Sequence, residues 1–183
     1  LAFQYLNKPM KKPGLSSKEA KLKLQGMLGE ESGNMNPLDF AIEMELDGED
    51  FYQRQADINK GNPLYEVCQM LAKDEARHAK ILKNMLGQED FRLEESPLPL
   101  TIKSIFNNSE DIKNEIKMIP SQLDFYRFAL DKEKQSIELY ADLLKGATQP
   151  RVKEVYEFLL KQEKQHYETM ELLVSMLMNA DEW

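Results

Sequence analysis

Apolar residues recur along most of this chain at intervals of three and four, the spacing that lines one face of an α-helix. The first such stretch carries Leu38, Ala41, Ile42, Phe51 and Tyr52. Asn36-Pro37-Leu38-Asp39 opens it with a capping side chain, a proline at the first helical position and an acid in the first turn. It is predicted to run to about Asn59, where Gly61-Asn62-Pro63 interrupts. The second carries Leu64, Val67, Met70, Leu71, His78, Leu82 and Met85 and should stop near Gly87. The third starts at Ser121-Gln122-Leu123-Asp124 and ends near Lys145-Gly146. The fourth starts at Gln149-Pro150 and runs through Val152, Val155, Leu159, His166 and Met170 to about Met178.

Two helix hairpins, 36–87 and 121–178, are therefore expected, joined by the connection 88–120. That connection is long for paired helices, and long enough to cross from one end of a bundle to the other. One short helix is expected within it, from about Ser109 to Met118. Residues 1–35 hold several prolines and glycines and little periodicity. They read as an arm with a short helix from about Ser17 to Leu28, opened by the capping box Ser16-x-x-Glu19. Residues 36–183 read as the bundle, so the fold class is all-α, a four-helix bundle.

The hairpins repeat. At a constant offset of 88, Ala41, Glu45 and Tyr52 fall on Ala129, Glu133 and Tyr140, and Leu71, Lys73, Glu75 and His78 fall on Leu159, Lys161, Glu163 and His166. One offset across both helices of each hairpin points to duplication. It also isolates the chemistry. The only two histidines each have a glutamate three residues earlier, on the same helix face. Glu45 and Glu75 lie about fifteen residues, or ~22 Å, on either side of the first turn, hence side by side. Glu133 and Glu163 flank the second turn in the same way. A glutamate from each of two helices and Glu-x-x-His from the other two is the ligand set of a dinuclear carboxylate metal site in a helix bundle.

A single Glu-x-x-His is weak as a signal. With 21 glutamates in 183 residues, both histidines acquire such a glutamate by chance roughly once in a hundred. The competing account is a pair of exposed helical ion clusters. However, the six positions fall beside the apolar stripes, where unpaired carboxylates are costly and cations would neutralise them. Four hard carboxylates and two imidazoles suit iron, with manganese possible, better than structural zinc. Asp74 and Gln162, each preceding a ligand glutamate, are candidates to accept the free imidazole N–H of the histidine on the neighbouring helix. Tyr52 and Tyr140, two turns beyond Glu45 and Glu133, are candidate catalytic side chains, placed to hydrogen-bond ligand carboxylates.

Composition narrows the picture. The net charge of −8 divides unevenly: residues 1–29 hold six lysines and one glutamate, a net +5, leaving −13 for residues 30–183. Such a body argues against nucleic acid as partner. A lone cysteine, Cys68, excludes an internal disulfide and any four-cysteine metal site. No apolar run approaches the ~20 residues of a membrane span, and Leu1 to Leu6 is too short for a signal peptide. Cytoplasm is the expected compartment.

At these residues the chain resembles the rubrerythrin branch of the ferritin-like superfamily. The carrying stretches are Ala41 through Tyr52, Leu71-Ala-Lys-Asp-Glu-Ala-Arg-His78, Ala129 through Tyr140, and Leu159-Leu-Lys-Gln-Glu-Lys-Gln-His166. The resemblance implies a ferritin-like bundle holding two irons per chain, with Glu45 and Glu133 as terminal ligands. Glu75 and Glu163 would bridge the irons, and His78 and His166 would each bind one. It further implies reduction of hydrogen peroxide or dioxygen, or oxidation of Fe(II). Two departures stand out. Full-length rubrerythrins carry a rubredoxin domain with four cysteines, so electrons here would come from a separate donor protein such as a rubredoxin, or from Fe(II) itself. They also have an extra glutamate ligand where this chain has Ser136, whose repeat mate is Gly48.

Three functions follow for testing: a di-iron oxidoreductase; an iron storage, buffering or sensing module; and a structural helical protein. A homodimer is expected, since such bundles often pair and the arm could exchange.

Overall fold

The computed structural model of the protein describes residues 36–61, 64–107 and 122–178. Among them the chain forms five helices and no strand: α1 (Pro37–Ile58), α2 (Leu64–Gly87), α3 (Leu98–Asn107), α4 (Gln122–Gly146) and α5 (Pro150–Met178). The expected short helices at 17–28 and 109–118 lie outside the described residues, as do the arm and the cap at Ser121.

Helix ends follow local chemistry. Asn36 caps α1 by accepting the Leu38 N–H on its side-chain oxygen at 3.1 Å, with Pro37 behind it. Asn59 closes the same helix, its backbone N–H reaching the carbonyls of Gln55 and Ala56. At the end of α2 the left-handed position falls on Gln88 (φ 57°), not on Gly87. There the Glu89 N–H returns to the Asn84 carbonyl at 2.8 Å, satisfying a carbonyl the helix leaves unpaired. Helix α3 is where the structure adds to the sequence reading. Ser96 caps it by accepting the Leu98 N–H at 3.1 Å, and Pro97 follows.

Helices α1 and α2 pack along their length, as do α4 and α5. The hairpins meet through α1 against α4 and α2 against α5. This is the all-α bundle that the apolar spacing implied, ferritin-like as the resemblance led one to expect. Its core gathers Tyr52, Leu64, Val67, Leu71, Leu98, Ile102, Tyr126, Ala129, Met170 and Leu173, so α3 contributes two of the buried apolar side chains. Burying a leucine or isoleucine stabilises by roughly 1.5–3 kcal/mol, which fixes the start of the connection against α2 and α5. Among the described residues, no helix is long and apolar enough to cross a membrane.

Candidate metal centre

Beside that apolar core, at Tyr52, the interior turns polar. Glu45, Glu75, His78, Glu133, Glu163 and His166 are each 4% exposed or less. They form two overlapping groups: Glu45, Glu75, His78 and Glu163, and Glu75, Glu133, Glu163 and His166. Within each group one ligand atom per residue lies within 4.8 Å of all the others. Glu75 and Glu163 belong to both groups, the placement that the bridging role implied by the resemblance would need. Both imidazoles turn Nδ1 inward, the His78 ring toward Glu163 at 2.9 Å and the His166 ring toward Glu75 at 3.1 Å. The rings stack with centroids 5.4 Å apart.

These atoms are close without being paired. Both Glu163 oxygens, Glu133 Oε2 and His166 Nδ1 are buried and have no aligned hydrogen bond, despite the short separations. Lone pairs that converge on shared space, not on one another, are what a multivalent cation satisfies. Without one, such atoms carry the full cost of desolvation. The donor set fits two first-row divalent ions, since four carboxylates balance two such charges.

Protons take up part of that role in the metal-free chain. Burial, then the charges of Glu163 and Glu45, push the Glu75 carboxyl well above its usual range. Burial and Glu45 raise Glu163 to about 7. Burial alone would depress His78, but its contacts with Glu163 and Glu45 outweigh it and raise the ring to about 9. His166 is likewise raised against burial, by Asp74, Glu133 and Glu75. Glu45 is held low because His78, Glu75 and Tyr140 overcome its burial.

The tyrosines do meet the glutamates, but crosswise. Tyr52 donates to Glu133 and Tyr140 donates to Glu45. In each case the partner lies on the other hairpin, not on the tyrosine's own helix. Helices α1 and α4 run antiparallel, and this brings each tyrosine beside the other's glutamate. Burial and the adjacent carboxylates keep both phenols protonated, far above their ordinary range.

Asp74 accepts from His166 Nε2 at 3.3 Å, as its place before Glu75 suggested. Gln162 does not do the same for His78. Its amide binds Arg77, Glu95 and Gln165 instead. Three participants were not anticipated: Ser96, which donates to Asp74; Arg77, 2.9 Å from Asp74; and Glu95, which receives Gln162 and Lys161. Gly48 has a visible purpose. A Cβ there would stand 3.2 Å from the Glu75 side chain, so the bare backbone makes room for a central carboxylate. Ser136 donates to the Lys132 carbonyl at 3.3 Å within its own helix.

No curated protein and no solved structure matches this chain. The family model described as Rubrerythrin matches residues 36–174, well over half of the 183 residues, a span that includes the four glutamates and two histidines of the cluster. The chain is a member of the rubrerythrin family.

Proposed function

We propose that Glu45, Glu75, His78, Glu133, Glu163 and His166 hold two iron ions and that the protein is a non-haem di-iron oxidoreductase. It would reduce peroxide or dioxygen, or oxidise Fe(II). The carrying observation is the buried six-residue cluster, whose inward atoms lie within 4.8 Å of one another in two groups sharing Glu75 and Glu163. Bound there, two adjacent irons would supply two electrons together to one small oxidant. Manganese could fill the same donors.

The chain's own residues do the rest. Tyr52 and Tyr140 hold Glu133 and Glu45 from outside the ligand set, and their protonated hydroxyls are the nearest proton donors to the terminal carboxylates. Asp74 fixes the plane of His166. Electrons would come from a separate donor protein such as a rubredoxin, or from Fe(II) itself. The working unit would be a cytoplasmic homodimer, residues 36–183 forming the metal-binding bundle and 1–35 an arm.

The test is metal content by mass spectrometry on iron-grown protein, with optical spectra before and after reduction and a peroxide-consumption assay. About two irons per chain, a near-ultraviolet band that reduction bleaches, and multiple turnovers with a donor are expected. Two irons without turnover would instead indicate storage, buffering or sensing. No metal, even after anaerobic loading, would refute the centre and leave a structural bundle.

A further inference from the structure

The offset that relates the hairpins pairs Asp74 with Gln162 beside the cluster, and this break makes its halves chemically unequal. Asp74, 2% exposed, accepts from His166 Nε2 at 3.3 Å and is itself fixed by the Ser96 hydroxyl and by Arg77 at 2.9 Å. Its repeat mate is Gln162, and the amide of Gln162 is already engaged. Oε1 accepts from Arg77 at 3.1 Å, while Nε2 donates to Glu95 at 3.0 Å and Gln165 at 3.1 Å. His78 Nε2 is consequently buried with no hydrogen-bond partner among the described residues.

Both histidines aim Nδ1 at the carboxylates. A neutral imidazole that gives its Nδ1 lone pair to a cation keeps its proton on Nε2. At His166 that proton meets a carboxylate, which strengthens the imidazole as a ligand and fixes its orientation. At His78 the same proton has no acceptor among the described residues, so the ring lacks that reinforcement as a ligand.

We propose, on the dinuclear reading above, that the two cation positions differ in affinity. The position formed by His166, Glu133, Glu75 and Glu163 is tight and resident. The position formed by His78, Glu45 and the same two shared glutamates is weak and exchangeable. Asp74 is the positioning residue that sets the difference. Losing such an outer partner of a histidine ligand commonly weakens metal binding ~10–100-fold, and a gap of that size is expected between the positions. One resident and one exchangeable position suits a ferrous ion that arrives as substrate.

The experiment is an anaerobic titration of the metal-free full chain with Co(II), followed by calorimetry and by the visible d–d absorption of the bound ion. Wild type should bind in two steps separated by ~10–100-fold. His78→Ala should keep one tight step, and His166→Ala only a weak one. Asp74→Asn should weaken the first step by about the same factor and spare the second, with Ser96→Ala acting in the same direction more mildly. Two equal steps in wild type, or equal weakening of both steps in Asp74→Asn, overturns the inference alone. Should Asp74→Asn fail to fold by circular dichroism, the comparison of His78→Ala with His166→Ala decides. No Co(II) uptake by wild type overturns the dinuclear reading itself.

Discussion

Removing metal while raising pH should separate the metal-free and loaded proteins sharply. In the metal-free chain Glu163 titrates at about 7 and not 4.5, and His78 at about 9 and not 6.5. Both folded values lie above the unfolded ones, so the folded chain binds these protons more tightly. Their stabilisation is complete below the unfolded values and is lost as pH rises through 7 and then 9. Each tenfold change in proton affinity is worth ~1.4 kcal/mol, so Glu163 alone forfeits about 3 kcal/mol. Glu45 and Asp74 act oppositely, since both are held low and lose stability only in stronger acid. Metal-free protein should therefore be most stable in mildly acidic solution. Metal reverses the trend, because its ligands must be deprotonated. Each ion at a hundred times its dissociation constant contributes about 2.7 kcal/mol. For a domain of this size, with ~2–4 °C per kcal/mol, two ions raise Tm by roughly 10–20 °C. Scanning calorimetry of chelator-stripped and anaerobically Mn(II)- or Fe(II)-loaded protein from about pH 5 to 8.5 would measure both, on the order of these values. The gap should widen steadily with pH. Parallel profiles, or a metal-free protein that gains stability toward pH 8, would refute the buried-cluster electrostatics.

Other perturbations test single contacts. Glu163→Gln removes a carboxyl whose charged form burial and Glu45 penalise. Metal-free Tm should rise above wild type near pH 8 and match it near pH 5, while metal uptake is lost; unchanged metal content would refute the ligand role. Tyr52→Phe and Tyr140→Phe each delete a donor to a buried carboxylate, Glu133 and Glu45 respectively. Each should cost about 1.5–3 kcal/mol in urea denaturation, and losses within error of zero would deny these bonds any weight. Gly48→Ala should favour the helix by up to about 1 kcal/mol in metal-free protein. The added methyl presses Glu75 at 3.2 Å, so the stabilisation gained on metal loading should shrink. An undiminished gain would mean that Glu75 yields without consequence.

The parts of this molecule that were legible in the sequence are those written as period or repeat. Four long helices followed from apolar spacing, and Asn36-Pro37 marked one start to the residue. The six buried side chains followed from the offset of 88 and from equal distances to two turns, because a helix converts residue number into height. Helix α3 was legible in principle: Ser96-Pro97 repeats the Asn36-Pro37 signature at the head of an apolar run. What the sequence could not convey is which partner a side chain chooses when several lie within reach. The crosswise tyrosine pairs depend on α1 and α4 running antiparallel, a property of the whole bundle. Gln162 shows the same limit more plainly. Its position in the repeat assigned it to His78, but the irregular segment before α3 brings Glu95 to it, and α2 brings Arg77. That segment also brings the Ser96 hydroxyl to Asp74 in the other half, where the aspartate holds His166. The connection has no counterpart in the repeat, so symmetry fails where it touches the bundle. The repeat places equivalent glutamates and histidines in both hairpins, and the stretch of chain between them gives Asp74 and Gln162 different partners.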